Sequence, residues 1–285
     1  MQSTLFELPA SPEPDLWSFD WIVASISGGK DSQALLDLIV ELADRAGVRH
    51  RLVAVHADLG EMEWEGVAAL AAEHAAHYGI PFYLVSRTVE GESQSLLEQV
   101  EERGMWPDAA RRYCTSDHKR GPIGRFITWL VNQTRAERGR DYRVRVLHVM
   151  GMRAQESPAR AHRDPLRDDE RNSSGTRYVL EWLILHRWTT EEVWERIAQA
   201  GTRIHPAYLA GMPRLSCVFC VLSSKSALVL AAQLNPELAE RYAAVERRIG
   251  HRFRANLSMA QIIEEARQRP GSRLSRGGQD EEAAR

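Results

Sequence analysis

A six-residue turn, Ser27-Gly28-Gly29-Lys30-Asp31-Ser32, stands between an apolar run with a β-branched centre at residues 21–26 and a segment at 31–43 whose apolar residues recur at helical spacing. The order is strand, tight turn, helix. Two adjacent glycines let the backbone turn sharply and approach a ligand with no Cβ in the way. The first N–H groups of the following helix have no intrahelical partner and carry partial positive charge, so an anion is accommodated there. Lys30 adds a full positive charge, and Ser27 and Ser32 add hydroxyls. The spacing differs from Gly-x-x-x-x-Gly-Lys-Ser/Thr, so the turn is a phosphate cradle of another kind.

The rest of the chain repeats the alternation. Residues 51–56, 81–86, 143–150 and 178–184 read as further buried strands, and 61–78 as an alanine-rich helix closed by Gly79 and Pro81. The expected fold is α/β: a doubly wound parallel sheet of about five strands with right-handed crossovers. Beyond about residue 210 the strand signal ends. A helix at 189–201 carries Thr189 and Glu192 in capping-box positions, and helices follow at 225–234, 236–249 and 259–268, the last behind Ser258. They form a helical C-terminal lid. Residues 164–176 are polar and charged and read as a mobile loop. The expected organisation is a flexible lead at 1–16 containing Pro9, Pro12 and Pro14, an α/β domain at 17–205, a helical region at 206–268 and a disordered tail at 269–285, with no internal repeat.

Bulk properties narrow the class. The chain has 285 residues, 44% of them hydrophobic, and a net charge of −2, so contact with a polyanion would need a local patch. No stretch of about 18 apolar residues and no secretory leader is visible, and the expectation is a cytoplasmic protein without membrane contact. Three cysteines in such a compartment suit metal or redox chemistry better than disulfides.

The turn and several later motifs together resemble one family. SGGKDS after a first strand is similar to the PP-loop ATP pyrophosphatases, of HUP-like, adenine nucleotide alpha hydrolase-like fold. Arg112-Tyr113-Cys114-Thr115 with Lys119 and Pro122, Gly151-Met152-Arg153 with Glu156-Ser157 and Arg160, and Trp188-Thr189 followed by Val193-Trp194 resemble the branch of phosphoadenosine phosphosulfate reductases and DNA-phosphorothioation ATP pyrophosphatases. The resemblance implies ATP lying across the strand ends. Its pyrophosphate would rest on Ser27, Gly28, Gly29, Lys30, Asp31 and Ser32, and its adenosine near His56 to Gly60. Asp58 would hold Mg²⁺ or a ribose hydroxyl, or serve only as a turn residue. Arg153 and Arg160, with Gly151 beside them and Glu156 orienting one guanidinium, suit bidentate phosphate recognition and the charge on a departing pyrophosphate. The alternative is a surface ion-pair cluster. Lys30, Asp31, Arg153 and Arg160 are the expected catalytic set.

Cys217 and Cys220 form a C-x-x-C pair, and Cys114 leaves the sheet near the same rim. Three thiolates can hold a [4Fe–4S] cluster and leave one iron for Asp117, His118, His205 or an external sulfur species. A Cys₃His zinc site, a redox dithiol and plain buried thiols are the other readings. Arg111, Arg112, Lys119 and Arg120, joined by Arg163, Arg167 and Arg171, make a track for a nucleic-acid backbone or a solvated charged face. Trp182, Trp188 and Trp194 read as core rather than base-stacking residues, and Tyr208 as structural. The sulfonucleotide reductases carry a nucleophilic cysteine in a C-terminal segment, and no cysteine follows Cys220 here.

The implied function is an ATP pyrophosphatase that adenylates an acceptor oxygen for sulfur insertion, with a DNA backbone phosphate as the foremost acceptor. Thiolation of a tRNA base, a sulfonucleotide reductase-like reaction and a non-catalytic nucleotide-binding subunit are the alternatives. The implied partners are a cysteine desulfurase as sulfur donor, other DNA-modification subunits, nucleic acid and a second copy of the chain.

Overall fold

A computed structural model describes residues 13–269. The expected flexible stretch up to residue 12 and the expected tail from 270 lie outside the described residues. Within the described part order begins before residue 17, because Asp15 caps a short 3₁₀ turn whose Leu16 is buried.

The first half runs β1 (Trp21–Ser25), α1 (Lys30–Arg45), β2 (Leu52–Asp58), α2 (Val67–His77) and β3 (Phe82–Ser86). A small hairpin of β4 (Thr88–Val89) and β5 (Glu92–Ser93) leads to α3 (Leu96–Arg103). A short turn, α4 (Tyr113–Thr115), passes through a π-helical turn at Ser116–Arg120 into α5 (Gly121–Arg138). Then come β6 (Val144–Met150), the single turn α6 (Pro158–Ala161), β7 (Leu166–Asp168), β8 (Arg177–Trp182) and α7 (Thr190–Ala200). The chain closes with the turn α8 (Pro206–Leu209) and the helices α9 (Lys225–Leu234), α10 (Pro236–Ile249) and α11 (Met259–Gln268).

Six strands form one sheet in the order β3-β2-β1-β6-β8-β7, parallel except for β7, which runs antiparallel to β8. All five expected strands are present. The sheet is mostly parallel because its crossovers are helical, and its central strand is apolar on both faces: Ile22, Val23 and Ala24 are fully buried. Apolar side chains of α1, α2 and α7 cover one face, and Phe126, Ile127, Leu130 and Val131 of α5 cover the other. A third core joins α9, α10 and α11 to α3 and to Leu59, Met62 and Trp64, so it draws on residues from both sides of position 205. Among the described residues no helix is long and apolar enough to cross a membrane.

Two expectations need correction. Residues 164–176 are not a featureless mobile loop. β7 pairs Leu166 with Trp182 and Asp168 with Leu180, and Ser174 bridges to Arg177. A three-residue edge strand with a solvent-facing side leaves too few apolar positions to show an alternation. The helix expected from residue 61 starts at Val67, because Gly66 adopts φ +81° at its N-cap and Gly60–Met62 forms a separate 3₁₀ turn. By contrast the capping boxes of Thr189 with Glu192 and Ser258 with Gln261 set the starts of α7 and α11 as read from sequence.

From β1 the chain goes first to β2 and β3 on one side and only later to β6 on the other. The C-terminal ends of β1 and β6 therefore flank a topological switch point, where open parallel sheets form their ligand crevices. The crevice is built at close quarters. A Cβ on Gly151, just after β6, would meet the carbonyl oxygen of Asp31 at 2.8 Å, and one on Gly28 would meet the carbonyl oxygen of Val67 at 2.9 Å. Gly151→Ala should cost about 1–3 kcal/mol through this overlap. That corresponds to a fall of roughly 2–4 °C in Tm per kcal/mol for a chain of this size, read by calorimetry.

Candidate active site

The turn after β1 is held open by its own polar atoms. Gly28 takes φ +64°, a left-handed conformation in which a side chain would be strained. Ser32 Oγ accepts from Ser27 N–H at 3.0 Å and donates to the Gly29 carbonyl at 2.9 Å, which fixes the loop across its mouth. Gly29 is the N-cap of the 16-residue α1 and supplies no side-chain cap, so the first helical N–H groups depend on partners from outside the turn. The Lys30 N–H donates to the Tyr208 hydroxyl at 2.9 Å. Tyr208 thus seats α8 on the turn, a structural role as expected of it.

Charge in the turn is tightly paired. Lys30 Nζ lies 3.0 Å from Asp31 Oδ2, and Arg153 Nε lies 2.5 Å from Asp31 Oδ1. Lys30 and Arg153 are both buried, at 3% and 2% exposure. Burial pulls the Lys30 pKa down, Asp31 opposes that shift, and Arg153 and Arg214 add to it by repulsion. The Arg153 guanidinium also reaches Gln155 Oε1, the Trp188 carbonyl and Thr190 Oγ1. Its position is that of a strut between the turn, the rim of β6 and the start of α7.

Arg160 is the more open cation. It pairs with Glu156, whose other oxygen lies 3.0 Å from Arg214 Nη1, and Glu156 also accepts from the Arg153 N–H at 3.2 Å. Burial lowers the Arg160 pKa to about 10, helped by repulsion from Arg214 and Arg112. Arg163 is lowered too, by burial and then by Arg167. Lys30, Arg112, Arg160, Arg163 and Arg214 therefore share one electrostatic neighbourhood. Sequence reading missed Arg214, which no motif marks, since it lies in the irregular stretch between α8 and α9.

The cysteines gather at the same rim. The Cys217 thiol hydrogen-bonds Cys220, so Cys217 is pushed well above its usual pKa while Cys220 is lowered by that bond, by the Leu222 N–H and by Lys119 and Arg214. Burial raises Cys114, which feels Cys220, Lys119 and Arg112. Zinc bonds of about 2.3 Å to tetrahedral thiolates would bring three sulfurs within roughly 4 Å of each other. Among the described residues, the one group of three His, Cys, Asp or Glu ligand atoms lying mutually within 4.8 Å is His148, Asp169 and Glu181. The three sulfurs are spread more widely than a zinc site requires. Of the expected fourth ligands, Asp117 accepts from Gln99 and Arg103, and His205 caps α8 and faces the Glu65 carbonyl. His118 Nε2 lies 3.0 Å from Gln99 Oε1 while its buried Nδ1 has no hydrogen-bond partner, and burial holds its pKa down at about 4.

On the far side of the turn, His56 Nε2 lies 2.8 Å from Glu63 Oε2 and Nδ1 lies 3.0 Å from the Ile26 carbonyl. Burial alone would lower the His56 pKa, but the hydrogen bond and charge of Glu63, the Ile26 carbonyl and the charge of Asp58 together leave it raised. Asp58 Oδ1 accepts from Gly60 N–H at 2.7 Å, so it does serve the turn. A cavity of about 520 Å³ opens here, lined among others by Asp58, Glu63, Trp64, Gly66, Val67 and Arg241.

The remaining cations divide. Arg111 pairs with its neighbour Asp108, Arg112, Arg120 and Arg171 are exposed, and Arg163 and Arg167 address Glu181. Trp182 and Trp188 are buried in the core, and Trp194 packs edge-on against Tyr208.

A family model described as Phosphoadenosine phosphosulfate reductase domain matches residues 21–223. An uncharacterized 37.8 kDa protein of Escherichia phage 186 is 29% identical over 145 residues, covering 51% of this chain and 40% of that protein. A tRNA-cytidine(32) 2-sulfurtransferase of Alkalilimnicola ehrlichii is 36% identical over 85 residues, covering 30% of this chain and 25% of that enzyme. The chain thus spans well under two thirds of these relatives. The structure of phosphoadenylyl-sulfate (PAPS) reductase from Candida auris superposes with a TM-score of 0.47 at 16% identity, over 70% of this chain and 83% of that one.

Two outcomes follow from the geometry. Arg153→Ala strips Asp31 of one of its two cationic partners in a buried setting, and should cost about 3–5 kcal/mol in denaturant unfolding. In metal-free protein, iodoacetamide should alkylate Cys220 at pH values below the usual thiol range. Cys217→Ala, which removes the donor to Cys220, should move that reactivity midpoint upward.

Proposed function

The chain belongs to the Phosphoadenosine phosphosulfate reductase domain family, and on that premise we propose that it is an ATP pyrophosphatase that adenylates an acceptor oxygen on nucleic acid for replacement by sulfur. The observation that carries the reading is the meeting, at one rim, of a helix start with no side chain at its N-cap, behind a glycine turn, with the Arg160–Glu156–Arg214 group and three cysteines.

In this reading ATP enters as its Mg²⁺ complex. The β- and γ-phosphates rest on the N–H groups of the turn, and the adenosine extends toward His56 and the cavity beside it, where Asp58 takes a ribose hydroxyl or the metal. The acceptor oxygen attacks the α-phosphorus, the bond from that phosphorus to the bridging oxygen breaks, and pyrophosphate departs with the negative charge. Lys30, Arg160 and Arg214 stabilise that charge, since fixed cations in a partly buried site act without reorganising. Arg153 and Asp31 hold the turn in shape, so their part is positioning. The AMP ester is then open to displacement by a sulfur nucleophile.

Cys114, Cys217 and Cys220 share one electrostatic neighbourhood, and three thiolates there would hold a [4Fe–4S] cluster and leave one iron free to carry sulfur from a cysteine desulfurase. The chain's own contribution there is to keep the sulfurs beside Lys119 and Arg214, which favour thiolate. The foremost acceptor is a DNA backbone phosphate, modified together with other DNA-modification subunits. A tRNA base is the second reading, favoured by the local likeness to tRNA-cytidine(32) 2-sulfurtransferases. The exposed Arg112, Arg120 and Arg171 offer either nucleic acid a backbone contact.

Pyrophosphate release from ATP and Mg²⁺, measured with duplex DNA and with tRNA, tests the proposal. Lys30→Ala and Arg160→Ala should each slow release by about 100-fold or more. Mass spectrometry of digested DNA and tRNA from cells with and without the gene identifies the acceptor. Absence of pyrophosphate release with both nucleic acids and a sulfide source would sink the reading.

A further inference from the structure

On the α5 side of the sheet, away from the groups used above, three ligand-bearing side chains converge. His148 on β6 and Glu181 on β8 are register partners on adjacent parallel strands, so their side chains emerge on the same face. Asp169 follows β7 directly, and its N–H is tied to the Val179 carbonyl at 2.9 Å, which folds it over that pair. One ring nitrogen of His148 and one oxygen from each carboxylate lie within 4.8 Å of one another. His148 is 7% exposed and Glu181 5%, while Asp169 is half-buried and gives the group its outlet.

The imidazole is incompletely satisfied. Its Nε2 lies 2.7 Å from Ser25 Oγ, whereas Nδ1 is buried with no hydrogen-bond partner. An unpaired buried nitrogen beside two carboxylates is costly unless something positive lies between them. Arg167 addresses Oε1 of Glu181 at 2.5 Å, with Arg163 at 3.8 Å from the same atom, so a guanidinium already balances one carboxylate. The other charge, on Asp169, faces only Asn172 among its hydrogen-bond partners. A carboxylate also has a second oxygen to offer.

From this convergence we infer that His148, Asp169 and Glu181 form a binding site for a single divalent transition-metal ion. One imidazole and two carboxylates suit Mn²⁺, Fe²⁺ or Zn²⁺, whereas an all-oxygen set would suit Mg²⁺ or Ca²⁺. Ser25 Oγ supplies the outer-sphere contact that metal-bound histidines make through their second nitrogen. The ion would fasten the short edge strand β7 to the centre of the sheet and hold Arg163 and Arg167 at the rim. None of its ligands takes part in the adenylation chemistry, and the site stands whether or not that reading does.

The test is Mn²⁺ titration of the full-length, metal-stripped protein without nucleotide, followed by electron paramagnetic resonance and thermal unfolding. Thiolates hold Mn²⁺ poorly, which separates this site from the cysteines. The expected result is one Mn²⁺ per chain and a rise in Tm on binding. Affinity should fall about tenfold or more in Asp169→Asn and in His148→Ala, and stay unchanged in Cys217→Ser. Asp169 is half-buried, so its variant decides the matter if His148→Ala does not fold. Absence of Mn²⁺ and Zn²⁺ binding in the wild type, or binding that Asp169→Asn leaves intact, overturns the inference.

Discussion

The carboxylate of Asp31 is the joint on which the crevice depends. It sits in the first turn of α1, accepts from Lys30 on one oxygen and from Arg153 on the other, and thereby fastens the turn after β1 to the segment that follows β6. β1 and β6 are hydrogen-bonded neighbours, and the ion pairs extend their contact beyond the strand ends. An ion pair this buried gives little net stability over an apolar replacement. What it supplies here is position. With Asp31 fixed, the Gly151 backbone can lie against the Asp31 carbonyl, and Arg153 can reach on to Trp188 and Thr190 at the start of α7.

Charge is distributed with a polarity that the net value of −2 conceals. Lys30, Arg160, Arg163 and Arg214 gather around the turn; burial lowers the pKa of the first three, Arg214 adds repulsion to Lys30 and Arg160, and Glu156 and Glu181 offset only part of the excess. To the other side the cavity wall carries Asp58, Glu61, Glu63 and Glu65. An elongated ligand with an anionic end and a hydroxyl-bearing end would feel a single favoured direction across the turn. The field therefore selects orientation as well as affinity.

How much of this could be read from the chain depends on the range of the interaction. The turn at Ser27 to Ser32, the five parallel strands and the capping boxes at Thr189 and Ser258 are local patterns, and each stands where the sequence puts it. β7 escaped notice because three residues on an edge carry no periodicity. Arg214 escaped for a different reason: its importance comes from its contact with Glu156, far away in sequence, and nothing in its own neighbourhood signals it. The role of Arg153 shows the same limit. Its motif marks it as important, but only the fold reveals that its guanidinium is consumed by Asp31, Gln155, Trp188 and Thr190.

Arg214 also links two parts of the rim that the sequence presents as separate. The same guanidinium pairs with Glu156, repels Lys30 and Arg160, and favours the thiolate of Cys220. Half of its side chain is open to solvent, so its pairing with Glu156 can be exchanged at modest cost. An anion arriving on the turn would compete with Glu156 for Arg214 and for Arg160 together. On the proposed function, whatever drew Arg214 toward an anion on the turn would withdraw positive charge from Cys220, so anion binding and the thiolate would compete for one side chain.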